Sequence, residues 1–213
     1  MTRILTALVL IPLVVWLILA APAWAFVAAE VVVGLFALRE VAQIGNNRAI
    51  PAVGGFMYIG GAWLCAFALR AVNPHWLLFA FLLCWAGDTA ALYIGKNFGR
   101  HKLAPQISPG KTWEGSVGSV LGGVLVGAMY AHFLIPAASL PMVLVVAAIG
   151  NIAGQIGDLL ESAYKRWGGV KDSGSSLPGH GGWLDRIDSS LLSVPVVYAL
   201  VHSGSWLLAP GSF

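Results

Sequence analysis

The stretch 155–188, QIGDLLESAYKRWGGVKDSGSSLPGHGGWLDRID, holds five of the chain's nine acidic residues: Asp158, Glu161, Asp172, Asp185 and Asp188. It also holds Lys165, Arg166, Lys171, Arg186 and His180, and apolar runs flank it on both sides. Charge at that density between apolar helices is costly, so its default reading is a functional site. Clustered carboxylates in a low dielectric repel one another unless a cation or protons neutralise them. Hard oxygen ligands of this kind suit Mg²⁺, which takes one or two carboxylates and keeps positions for water and substrate phosphates. Two other readings stay open at this point. One is a proton or sodium pathway; the other is structural pairing of the carboxylates with Lys165, Arg166 and Arg186.

The elements that must position these groups are membrane spans. Of 213 residues, 58% are hydrophobic and only 10% charged, where a soluble domain carries about 25% charged residues. The apolar runs are far longer than barrel strands. The expected fold is therefore an all-α integral membrane protein, a polytopic helical bundle of about seven transmembrane helices. The runs cover about 4–20, 24–44, 53–72, 75–94, 116–135, 140–164 and 181–202. Ala23-Trp24-Ala25 has the form of a signal-peptidase site, but the apolar core before it exceeds a usual signal and another run follows at once. A retained first helix is expected. Cys65 and Cys84 lie inside apolar runs and read as small buried hydrophobes, without metal-ligand spacing. In the fifth run Gly118, Gly122, Gly123 and Gly127 give overlapping small-xxx-small patterns, which predict close helix packing.

With the N-terminus cytoplasmic, eleven of the twelve Lys and Arg fall on the inner side, and only Arg70 falls outside. That is the positive-inside pattern. The polar loops 96–115 and 165–180 then face the cytoplasm. A single membrane domain, 1–213, is expected, with N-terminal helices in 1–74 and the catalytic half in 75–204. No nucleic-acid partner is expected.

Counted along their helices at 1.5 Å per residue, Asp88, Asp158 and Asp185 lie roughly 7–11 Å below the cytoplasmic surface. Asp185 and Asp188 are three residues apart and share a helix face. The two loops add Lys96, Arg100, Lys102 and Lys111 to the cations already named, interleaved with Gly, Ser and Pro. Basic side chains and glycine-rich backbone amides are what polyphosphate binding requires. Positive-inside loops are basic in any membrane protein, and that accounts for part of the pattern. It does not account for Asp172 beside Lys171, nor for the turn residues Ser108-Pro109-Gly110 and 177–182. His180 reads as a base, a phosphate contact or a loop tether.

Residues 162–188 resemble the signature of the phosphatidate cytidylyltransferase (CDP-diacylglycerol synthase) family. The matching positions are Ser162, Lys165, Arg166, Lys171, Asp172, Pro178, His180, Gly181, Gly182, Asp185, Arg186 and Asp188. Gly157-Asp158 and Glu161 fit the same pattern. Residues 99–115, GRHKLAPQISPGKTWEG, resemble the family's second block, with Asp88 and Tyr93 ahead of it. The likeness is close over 88–190. Members of that family are usually longer, with more helices before the first block, so the shortening is expected among the middle helices.

The resemblance implies transfer of CMP from CTP to phosphatidate with release of pyrophosphate, dependent on Mg²⁺, with K⁺ as a candidate second ion. It implies a metal centre on carboxylates matching Asp158 and Asp185, which Asp188 and Asp88 would extend. Lys165, Arg166 and Lys171 would neutralise the triphosphate, with Asp172 and His180 completing the catalytic set. Arg100, Ser108, Lys111, Glu114, Ser162 and Arg186 are the substrate-binding candidates. A phosphate nucleophile is already anionic at neutral pH, so positioning and charge neutralisation matter more than a general base. CTP, phosphatidate and the bilayer are the expected partners, and a homodimer is an open option. The expected location is the bacterial cytoplasmic membrane, with the site facing the cytoplasm. The rivals are another CTP-dependent lipid enzyme (a polyprenol kinase or an ether-lipid cytidylyltransferase) and an ion-coupled transporter. Transporters often show internal repeats, and none is visible in this sequence.

Overall fold

The computed structural model describes residues 2–46, 48–174, 176 and 181–203, with side chains from residue 8 onward. Seven helices follow one another among the described residues. They are α1 (Thr2–Leu19), α2 (Ala23–Ile44), α3 (Ala49–Val72), α4 (Pro74–Phe98), α5 (Trp113–Leu134), α6 (Leu140–Trp167) and α7 (Leu184–Ser203). The protein is an all-α polytopic helical protein. Helices α3, α4, α5 and α6 are each long and apolar enough to cross a membrane. On α5 the exposed positions Val117, Leu121, Leu125, Met129 and Phe133 recur every four residues. Such an apolar stripe suits a hydrocarbon surround.

Helix α4 is central and packs against α1, α3, α5, α6 and α7. Its Leu77, Phe79 and Leu83 are fully buried, as are Ala147 of α6 and Val197 of α7. Its start is set locally: Asn73 Oδ1 accepts from His75 N at 2.9 Å, and Pro74 occupies the first turn, where its missing N–H costs nothing. Against α4 lies the glycine face of α5. A Cβ on Gly118 would stand 2.5 Å from Ile94 Cδ1, and one on Gly122 2.6 Å from Ala90 Cβ. The small-residue spacing thus serves close backbone packing. A polar girdle ties the same helices together. Asn151 Nδ2 donates to Leu83 O at 2.9 Å, while its Oδ1 accepts from Gln155 Nε2 at 2.8 Å and Ser119 Oγ at 3.2 Å.

Two segments differ from the sequence expectation. The expected polar loop 96–115 is instead ordered: α4 runs on to Phe98, and β1 (Lys102–Ala104) pairs antiparallel with β2 (Ser108–Thr112). Pro105, Gln106 and Ile107 make the turn between the strands, so Ser108-Pro109-Gly110, expected as turn residues, lie instead within β2. Thr112 then caps α5, its Oγ1 accepting from Gly115 N at 3.1 Å. Helix α7 begins at Leu184, not near Gly181, because the chain first turns through Gly181 at φ +80°. That conformation is open to glycine and cannot continue a right-handed helix. Asp185 therefore sits in the first turn of α7, not several residues inside it.

Candidate active site

Helices α6 and α7 pack side by side and bring three carboxylates together. One oxygen each from Asp158, Glu161 and Asp188 lies within 4.8 Å of the others. Asp158 and Glu161 are one turn apart on α6, so they share a face by helix periodicity alone. Glu161 is only 8% exposed, and its Oε1 has no hydrogen-bond partner among the described residues. Asp188 Oδ1 accepts from Ser189 N at 2.6 Å. Ser162 Oγ donates to Asp158 Oδ1 at 3.3 Å.

Two lysines flank the cluster. Lys165, next along the same face of α6, is buried with Nζ 2.7 Å from Glu161 Oε2 and 2.6 Å from Asp185 Oδ1. Lys111, carried in on β2, stands with Nζ 2.5 Å from Asp158 Oδ2. Asp185 is held from several sides: Oδ2 accepts from Ser173 N at 3.0 Å and Gly182 N at 2.9 Å. The second of these reaches back over its own helix start, as in a capping box. Four carboxylates thus face two ammonium groups. With all of them ionised, two formal negative charges stay uncompensated, and a buried uncompensated charge is costly. A hard divalent cation fits this donor set and this charge. Glu161 Oε1 is a buried oxygen of this set without a hydrogen-bond partner among the described residues, and so is open to such an ion.

Beside the cluster opens a cavity of about 400 Å³. Its walls are mostly apolar, with Val14 and Ile18 from α1, Phe26 from α2, and Leu77 and Phe81 from α4, and Glu30 of α2 also lines it. Its polar end is lined by Asp88 of α4 and, from the first turns of α7, by Asp185, Arg186 and Asp188. Asp188 belongs to both the cavity and the carboxylate cluster. The arrangement can hold an amphiphile with its chains among apolar side chains and its head against charged groups.

The remaining expected site residues fall around this centre. Asp88 lines the cavity and is exposed to it, outside the three-carboxylate cluster. Lys111 pairs with Asp158, not with Asp88. Arg166 bonds backbone carbonyls, Nε to Ile107 O at 3.2 Å and Nη1 to Val170 O at 3.1 Å, so it ties the hairpin turn to the chain after α6. Glu114 grips His101 Nδ1 at 2.6 Å and His101 N at 3.3 Å, which straps the base of the hairpin. Arg100, Lys171, Asp172 and Arg186 are exposed, and Ser108 is half-buried on β2. His180 and the turn 177–180 lie outside the described residues.

Two residues were not singled out by sequence reasoning. Glu161 was noted only as part of a pattern, although its spacing from Asp158 could have placed it on the same face. Glu40 lies near the end of α2. It is 2% exposed and accepts hydrogen bonds from Ser173, Ser176, Trp183 and Leu184. No local pattern around Glu40 announces those partners.

Comparison with known proteins places the chain in a family. Residues 52–203 match the profile described as Cytidylyltransferase family. Three relatives bear the name phosphatidate cytidylyltransferase. That of Staphylococcus saprophyticus is 39% identical over 171 residues, covering 78% of this chain and 66% of the relative. That of Staphylococcus haemolyticus is 41% identical over 166 residues, covering 78% of this chain and 58% of the relative. That of Staphylococcus aureus is 42% identical over 144 residues, covering 68% of this chain and 55% of the relative. The chain thus matches between roughly half and two thirds of the length of these relatives. The matched region takes in the hairpin, the carboxylates of α6 and α7 and both flanking lysines, and the chain belongs to the cytidylyltransferase family.

Proposed function

We propose that this protein transfers CMP from CTP to phosphatidate, giving CDP-diacylglycerol and pyrophosphate, at a site on the cytoplasmic side of the bacterial membrane. The observation that carries the proposal is Asp188, which stands at once in the carboxylate cluster and at the polar end of an apolar cavity. A lipid phosphate and a nucleotide phosphate can meet only where those two environments join. The names of the relatives support the same substrates.

Asp158, Glu161 and Asp188 would hold Mg²⁺. When bound, it would neutralise phosphate charge and orient the triphosphate. Lys165 offsets the repulsion of Glu161 and Asp185, keeping the cluster assembled. Lys111 is carried on a hairpin and can exchange Asp158 for a phosphate oxygen. Arg186 and the exposed Arg100 and Lys171 supply further positive charge for the triphosphate or the lipid phosphate. The cavity aligns the diacylglycerol chains, which fixes the phosphate monoester for in-line attack on the α-phosphorus. Pyrophosphate leaves from the opposite side. Catalysis rests on placement and charge, since the nucleophile needs no deprotonation at neutral pH.

The test is to incubate the purified protein in liposomes with phosphatidate, labelled CTP and Mg²⁺. Lipid-phase label and pyrophosphate should rise in equal amounts, and EDTA should abolish both. CDP release with a polyprenol acceptor, and no label entering phosphatidate, would move the assignment to a lipid kinase.

A further inference from the structure

The carboxylate of Glu40 lies outside residues 52–203, yet it organises the charged segment between α6 and α7. A carboxylate offers two acceptor positions on each oxygen, and here all four are met. Oε1 accepts from Ser176 Oγ at 3.1 Å and Trp183 N at 3.0 Å. Oε2 accepts from Ser173 Oγ at 2.8 Å and Leu184 N at 2.9 Å. The four donors are 133 to 144 residues away in the chain. Two are backbone amides at the start of α7, where helix N–H groups have no partner of their own and the dipole favours negative charge.

The contacts continue inward. The Ser173 hydroxyl also stands 3.0 Å from Asp185 Oδ2, which takes the Ser173 and Gly182 amides as well. The other Asp185 oxygen holds Lys165, and Lys165 holds Glu161. An unbroken line of polar contacts therefore joins α2 to the carboxylate cluster. The segment is shaped around the Glu40 side chain: a Cβ on Gly174 would stand 2.8 Å from Glu40 Oε1, and one on Gly182 would collide with Oε2. Tyr164 OH, donating to Val41 O at 2.8 Å, fixes the same end of α2 to α6.

We propose that Glu40 is a positioning residue for the reaction: it holds the Ser173 turn and the start of α7 so that Asp185 and Lys165 stand in register with the carboxylate cluster. This inference rests on the cytidylyltransferase reading of that cluster. Glu40 belongs neither to the carboxylate cluster nor to the cavity lining, so its loss reduces alignment more than affinity. Glutamine is the discriminating replacement. Its amide nitrogen cannot accept, so one pair of donors loses its acceptor and faces N–H groups instead.

The test compares Glu40→Gln, Glu40→Asp and Ser173→Ala with the parent, all as full chains in liposomes. Hydrogen exchange is followed at Ser173 and at Gly182, Trp183 and Leu184, with α4 and α5 as the folding control. Glu40→Gln should raise exchange at those amides at least about tenfold while α4 and α5 stay protected. It should lower kcat about 100-fold, the scale of an ångström misplacement, with KM for CTP changed less than about threefold. Glu40→Asp should recover part of the kcat, and Ser173→Ala should show the same pattern with a smaller loss. Unchanged exchange with unchanged kcat in Glu40→Gln overturns the proposal, as does a rise in KM alone. Should Glu40→Gln also open α4 and α5, Ser173→Ala decides by the same criteria. A parent protein that transfers no CMP to phosphatidate would remove the functional reading by itself. The exchange comparison would still decide whether Glu40 positions the turn.

Discussion

A Cβ on Gly157 would stand 2.8 Å from the backbone carbonyl oxygen of Asp188. The backbones of α6 and α7 touch there, and this contact lets Asp158 and Glu161 reach Asp188 across the helix pair. The obstacle to a side chain is main chain, which cannot swing aside as a flexible side chain can. In Gly157→Ala the helices must part, and the carboxylates part with them. Cytidylyl transfer should fall about 10–100-fold, since misplacement on the ångström scale has that effect. Binding of Mn²⁺, followed by electron paramagnetic resonance, should weaken in parallel. Normal turnover in Gly157→Ala would mean that the spacing of α6 and α7 does not set the site.

Glu161 offers a sharper test of the metal assignment. Its Oε1 is buried without a hydrogen-bond partner among the described residues, while Oε2 faces Lys165. In Glu161→Gln one formal negative charge leaves the cluster, but the shape stays nearly the same. The Mg²⁺ concentration for half-maximal activity should rise at least about tenfold, the scale expected when the surroundings of a metal site are disturbed. An unaltered Mg²⁺ titration would return Glu161 to a purely structural pairing with Lys165.

Lys111 should separate activity from stability. Its pair with Asp158 is partly exposed, at 25% and 26% for the two side chains. Pairs of that kind contribute about 0–1 kcal/mol. Lys111→Ala should therefore leave the thermal midpoint nearly where it was. Turnover should drop about 100-fold, as for loss of a preorganised charge beside a reacting phosphate. A large fall in the midpoint with turnover per folded molecule preserved would show Lys111 to be a hairpin anchor only.

Ala29 of α2 lines the apolar cavity. Ala29→Phe fills part of that space and adds no charge. KM for phosphatidate should rise about tenfold, the order expected for removing one well-filled apolar contact region, while KM for CTP stays constant. Mixed-micelle kinetics with each substrate varied in turn would show the split. Equal change in both constants would place the lipid chains elsewhere.

Much of the scaffold was legible in the sequence because lipid leaves few choices. An apolar run of twenty or so residues must satisfy its own backbone, and only a helix does so within a single segment. Hence the expected run 140–164 and α6 (Leu140–Trp167) share a start, and the expected end of α3 at residue 72 matches Val72. The glycines of α5 announced a close neighbour for the same reason, though not that the neighbour was α4. The hairpin was harder to foresee. Its short strands carry no strong alternation, and it is held by Glu114 on His101 and Arg166 on Ile107, contacts between distant positions.

Read alone, the amino-acid order was enough for the class of the protein, the places of most helices and the residue types from which a phosphate-handling site could be built. Hydrophobicity, helix periodicity and motif spacing are properties of neighbouring residues, and they survive without a fold. Which carboxylates meet was settled by helix packing. It placed Glu161 with Asp158 and Asp188, turned Asp185 toward Lys165, and brought Glu40 from α2 to the start of α7. Those choices depend on the approach of α6 to α7 at Gly157 and on backbone amides that become donors only once the chain has turned. The Lys165–Asp185 contact spans 20 positions and the Glu40–Leu184 contact 144, and no local pattern encodes either.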